Sequence, residues 1–174
     1  MGNFVLVTGA TGYVGGRLIP RLLESGYHVK AFGRSIEKMS SRPWSSHPNA
    51  VLAQGNALDC DSLKVAAKDC YAAYYLVHSM NPRHADFAEA DRNAARNMAE
   101  AAAGANMQRI IYLGGLGDMD DPKLSDHLKS RHEVAGILQS GPVPVTHLRA
   151  AMVLGSGSAS FEILRYLCER LPIL

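Results

Sequence analysis

The chain is poor in most features that mark a specialised protein. Its three cysteines, Cys60, Cys70 and Cys168, are odd in number and form no CxxC pair. That argues against a disulfide scaffold, and reduced thiols in a cytoplasmic protein are the simple expectation. Seven histidines offer no i, i+4 pair, so no metal site is expected. An excess of one charge is also missing: 18 Lys and Arg stand against 16 Asp and Glu, a net +2, with no dense basic block. Neither nucleic acid nor an anionic membrane is therefore expected as a partner. No apolar run is long enough to span a bilayer, and the first strand begins too close to Met1 to leave room for a signal peptide. No internal repeat or low-complexity linker breaks the chain. The one tryptophan, Trp44, stands in a polar, proline-bearing stretch, residues 40–49, which reads as a flap or a surface excursion. What is present is apolar content, 47% of 174 residues, enough for one domain with one core.

The informative stretch comes first. Val5 to Val7 is an apolar, β-branched-rich run of buried-strand type. Gly9, Gly12 and Gly15 follow at three-residue spacing, and then Val14, Leu18, Leu22 and Leu23 repeat at helical spacing. Strand, glycine turn and helix in that order form the setting in which a glycine motif carries chemistry. Gly9 allows a tight turn, Gly12 lets backbone approach a phosphate, and Gly15 lets the helix lie close on the strand. Thr11, Tyr13 and Val14 complete the turn, and the first N–H groups of the helix face a pyrophosphate.

The rest of the chain alternates strand and helix. Strands are expected near residues 27–32, 50–54, 71–77, 109–113 and 143–148, which with the first makes about six. Helices are expected to begin near Asp59, and to cover residues 83–103, 124–139 and 161–171. Pro20 should bend the first helix, tolerated because Gly16 leaves room. The pattern is α/β: a doubly wound, mostly parallel sheet with helices on both faces. The carboxyl ends of its strands face the ligand crevice. That places Arg34 and Ser35, Asn56 and Ala57, Val77, His78 and Ser79, and Leu113 and Gly114 at the crevice.

An NAD site wants an acid roughly 20 residues past the glycines to bond the ribose hydroxyls. Arg34 stands there instead. A guanidinium grips a 2′-phosphate with two bonds, Ser35 adds a third, and Arg17 and Lys38 lend charge. NADP(H) is therefore expected in preference to NAD(H). The alternatives are a solvated Arg34, or one stacked on the adenine of NAD.

TGATGYVGGRLIPRLLESGYHV, residues 8–29, resembles the opening of the short-chain dehydrogenase/reductase superfamily in its extended and atypical branches. YYLVHSM, IIYLGGLGD, HLKSRHEV and LRAAMVLGSGSASFEILRYL resemble bacterial atypical members, which are NAD(P)-binding or epimerase-like. The resemblance implies a Rossmann domain over residues 1–174, with the substrate-binding part of longer relatives outside it. It implies that Asn56 bonds the adenine amino group in place of an acid. It permits a homodimer through the long helix. It also implies a Ser or Thr after the fifth strand and a Tyr-x-x-x-Lys on the next helix. Here Gly114 and Gly115 carry no hydroxyl, and alignment on Glu133 puts His127 at the Tyr place and Arg131 at the Lys place. His127 would move a proton, Arg131 would hold ribose or phosphate, and Ser125 and Ser130 are nearby hydroxyls. Two functions stay open: an oxidoreductase or epimerase-like enzyme acting on an unidentified small molecule, or a non-catalytic NADP(H)-binding sensor or accessory subunit.

Overall fold

A computed structural model describes residues 3–78, 87–117, 124–151 and 153–171. The strands are β1 (Phe4–Thr8), β2 (His28–Gly33), β3 (Ala50–Gln54), β4 (Cys70–Tyr75), β5 (Arg109–Gly115) and β6 (Val145–Ala150). The helices are α1 (Tyr13–Glu24), α2 (Ile36–Ser40), α3 (Cys60–Ala67), α4 (Phe87–Gly104), α5 (Asp126–Gln139) and α6 (Ala159–Arg170). Every strand pairing is parallel, in the order β3-β2-β1-β4-β5-β6. The order reverses between β1 and β4, so the crevice of a doubly wound sheet opens there.

Continuous apolar runs become central strands because both faces of a parallel sheet are covered. In β1, Val5 and Val7 belong to one core with Ile19, Leu22 and Leu23 of α1. Leu6 faces the other core, with Leu63 of α3, Met98 of α4 and Leu138 of α5. Side-chain caps set the starts of α3 and α5: Asp59 accepts from the amides of Asp61 and Ser62, and Ser125 from that of Leu128. Pro20 lies inside α1.

Residues 40–49 differ from expectation. Pro43–Ser46 forms a 3-10 turn, and Trp44 is only 6% exposed, within the α1-side core. The segment runs over the surface for most of its length, and Trp44 anchors it in the core. An indole removes more apolar area from water than any other side chain here, and that outweighs the polar residues around it. The opposite holds for α6, which buries none of its residues and leaves Ile163 and Tyr166 exposed.

Candidate functional site

The glycine turn has the geometry its spacing implied. Gly9 sits at φ +70°, where a side chain is strained, and a Cβ there would lie 3.1 Å from the Leu76 carbonyl oxygen. A Cβ on Gly15 would lie 2.4 Å from the Gly9 carbonyl oxygen, so only glycine lets α1 start this close to the turn. The close approach is to the turn's backbone more than to the strand. The Gly12 amide donates to the Gly9 oxygen at 2.9 Å, and no side chain caps the helix. Its next N–H groups, in the turn of Tyr13 and Val14, remain open to an anion. Thr8, fully buried, donates to the Tyr74 carbonyl and accepts from the Leu76 amide, both at 3.1 Å. Its hydroxyl ties the ends of β1 and β4 together at the crevice. Thr11 offers its carbonyl to Arg42 at 2.8 Å.

Past β2, Arg34 is exposed and its guanidinium has no partner among the described residues. Ser35 spends its hydroxyl as an acceptor for the Lys38 amide, capping α2, and keeps only its O–H to give. Arg17 turns elsewhere: it lies over the Tyr13 ring and donates to the Ser156 carbonyl. Past β3, the Asn56 side-chain oxygen accepts from the Leu58 amide at 3.2 Å, an Asx turn that leaves one lone pair for another donor. Ala57 turns its methyl into the core and its carbonyl to Asn97 of α4.

Past β4 and β5 the structure brings His78, Leu113, His127 and Arg131 together. The rings of His78 and His127 meet edge to face at 6.4 Å. Arg131 donates to the Leu113 carbonyl at 3.2 Å, and the Tyr112 hydroxyl donates to the Arg131 carbonyl at 3.2 Å. Val77, half-buried, packs against the α3–α5 core, and Ser79 lies outside the described residues. Burial, then the Arg131 charge, holds the His78 imidazole below its ordinary value. His127, more exposed, is lowered in the same sense by partial desolvation and then by Arg131. Both rings are therefore neutral near pH 7, each with one donor and one acceptor nitrogen. Among the described residues no cluster of His, Cys, Asp or Glu could hold a metal ion.

The end of β5, where the hydroxyl is missing, is crowded. A Cβ on Gly114 would fall 2.2 Å from His147 Nε2, and one on Gly115 2.5 Å from a Leu128 methyl. His147 stacks on Tyr112, ring centroids 5.2 Å apart, and fills the space a serine side chain would need. Sequence reasoning missed this ring, and it missed Asp91 and Asn97 of α4. A polar residue at a core-facing position of the alanine-rich helix was the signal available for both.

A parallel sheet with an uncapped helix over a glycine turn at its switch point defines a dinucleotide-binding protein of the Rossmann class. The chain belongs to the NAD(P)H-binding family, whose model matches residues 9–165. It is 27% identical over 120 residues to cinnamoyl-CoA reductase 1 of Petunia hybrida, covering 67% of this chain and 36% of that protein. The chain thus spans little more than a third of that relative's length. Among solved structures it resembles the Bordetella bronchiseptica enzyme WbmG in complex with NAD, with TM-score 0.74 and 20% identity over 89% of this chain and 55% of that one. It also resembles Citrobacter sp. triphenylmethane reductase complexed with NADP(H), with TM-score 0.69 and 23% identity over 85% and 49%. The fold is the parallel, Rossmann-like α/β sheet that these two enzymes share. Among the described residues no helix is long and apolar enough to cross a membrane.

Proposed function

We propose that this chain is the cofactor-binding part of an NADP(H)-dependent oxidoreductase of the atypical short-chain type. The observation that carries the proposal is the open N-terminus of α1, set over Gly9 and Gly15 at the β1/β4 switch point. Backbone N–H groups from Tyr13 to Gly15, the ones the turn leaves open, would hold the pyrophosphate. Arg34, exposed and unpartnered among the described residues, would grip the 2′-phosphate, with the Ser35 hydroxyl beside it. Asn56 would take the adenine end. The bound nicotinamide would supply a hydride to a carbonyl-type substrate. Arg131 would orient the ribose, and His127, neutral at rest near pH 7, would take a proton from solvent and pass it as imidazolium to the substrate oxygen. His78, beside His127, would order the proton path.

The substrate-binding part would lie in sequence of the kind that the longer relatives carry. The exposed apolar side chains of α6 support that reading. Unpaired cysteines suit a cytoplasmic protein. The crowding at Gly114 favours one second reading, a non-catalytic NADP(H)-binding sensor or accessory subunit, because the superfamily's hydroxyl has no room.

The test is hydride transfer from NADPH to a panel of aldehydes, quinones and nucleotide sugars, using a chain lengthened past residue 174. His127→Phe should abolish turnover and leave cofactor affinity nearly intact, since its proton is needed only in the transition state. Arg131→Ala should weaken both. Turnover surviving in His127→Phe removes the acid/base role, and no turnover with any substrate favours the sensor.

A further inference from the structure

The buried face of α4 is apolar, built from Met98 and the small residues Ala94, Ala95, Ala101 and Ala102. One residue breaks the pattern. Asp91 is only 6% exposed, and a carboxylate is costly to bury without compensation. Its Oδ2 accepts a hydrogen bond from the Ser130 hydroxyl of α5 at 3.3 Å, and Ser130 is itself 2% exposed. Ser130 directly precedes Arg131 and follows His127 by three residues, so it sits on the turn that carries both. The same turn is held from the sheet, where the Tyr112 hydroxyl donates to the Arg131 carbonyl.

We propose that Asp91 is a positioning residue of the candidate site, which fixes through Ser130 the turn of α5 that presents His127 and Arg131. The proposal deepens the acid/base role given above to His127. A packing role alone would be met better by another alanine.

Among the described residues, this carboxylate acts on Tyr75 and His78 from β4 and its end, on Tyr112 from β5 and on His127 from α5, and the Arg131 charge acts on His78, Tyr112 and His127. Arg92, next to Asp91 on α4, is engaged with Glu89 and Glu133. Where α3 packs on α4, its lysine, Lys64, pairs with Glu100. Arg131 disfavours the imidazolium of His78 and of His127, and Asp91 favours it. Without the carboxylate the Arg131 charge acts unopposed, and both imidazole midpoints fall.

The experiment is histidine-resolved NMR titration of this chain, without cofactor or substrate. Asp91→Asn keeps the shape and an acceptor for Ser130 but removes the charge. It should lower the midpoints of His127 and His78 by about half a unit, the size of one charge acting across a partly solvated gap. Ser130→Ala keeps the charge and cuts the link. It should leave both midpoints in place and speed amide exchange over residues 128–131, and Ser130→Thr should restore the slow exchange. Midpoints that do not move, or rise, in a folded Asp91→Asn variant overturn the proposal. Unchanged exchange in a folded Ser130→Ala variant overturns it as well, whether or not Asp91→Asn folds. Turnover in His127→Phe is a separate readout, so the acid/base role and the positioning role fail separately.

Discussion

Adjacent glycines on α1 should respond in opposite ways to the same methyl group. On Gly15 the added Cβ meets the Gly9 oxygen at 2.4 Å, the Gly9 carbonyl carbon at 3.1 Å and the Ala10 Cα at 3.1 Å. All three are backbone atoms, and that backbone is pinned: Gly9 accepts from the Gly12 amide, and Ala10 donates to the Phe32 carbonyl. The helix cannot retreat easily either, because Ile19, Leu22 and Leu23 are locked in the core. Relief needs a shift of most of an ångström, an overpacking cost of about 1–3 kcal/mol. Helix propensity returns about 1 kcal/mol of it. Gly15→Ala should therefore lose about 1 kcal/mol in urea unfolding. It should bind NADPH at least tenfold more weakly by calorimetry, because the N–H groups of the cradle move with the helix. On Gly16 the nearest atom is the Ala10 oxygen at 3.9 Å, and the residue borders a cavity of about 380 Å³ beside Pro20 and Trp44. Gly16→Ala should be stabilising by about 0.5–1 kcal/mol, with unchanged affinity. Equal effects from the two substitutions would refute the steric account of the turn.

Three further outcomes follow from the packing and the titrating groups. Trp44→Ala should cost about 3 kcal/mol in urea unfolding, the low end for a buried aromatic because a cavity already adjoins it, and a cost below about 1 kcal/mol would mean a loosely attached segment. Gly114→Ser should cost about 1–3 kcal/mol, since its Cβ meets His147 Nε2 at 2.2 Å. A double-mutant cycle with His147→Ala should recover part of that cost, and strict additivity would place the clash elsewhere. His78, His127 and His147 all lie below the ordinary imidazole value of 6.5, each first because of burial. Above pH 6.5 neither state takes the proton and these groups contribute no slope. Below it the unfolded chain binds protons that the native state refuses, so the urea midpoint should fall with pH until the native values are crossed. A midpoint that rises between pH 6.5 and 5.5 would contradict the burial of these rings.

The sheet was legible because its signals are local. Apolar β-branched runs, helical periodicity and a glycine turn each lie within a dozen residues, and chain order then sets the parallel topology. Trp44 was misread because its neighbours are polar and its partners, Ile19 and Leu22 among them, are distant in sequence. His127 and Arg131 could be paired from their four-residue spacing on one helix. Their meeting with His78 and Leu113 depends on how α5 docks on the sheet, which no local pattern encodes. Asn56 illustrates the limit for single side chains. Its residue type suited adenine, and the turn beside it takes one lone pair of that oxygen and leaves the other, which no sequence pattern shows. The Arg34 guanidinium has no partner among the described residues, and its role rests on the cofactor titration below.

The most direct measurement is calorimetric titration of this chain with NADPH and NADH, repeated on Gly12→Val and Arg34→Ala. Gly12 has φ −71° and ψ 173°, extended backbone that valine adopts readily, so Gly12→Val should fold. The unmodified chain should bind NADPH more tightly than NADH, and Gly12→Val should bind neither. Arg34→Ala should lose about 2–3 kcal/mol for NADPH, the strength of a charge-assisted bidentate contact, and far less for NADH. Unchanged affinity in a folded Gly12→Val would put the dinucleotide somewhere other than the first turn and contradict the account.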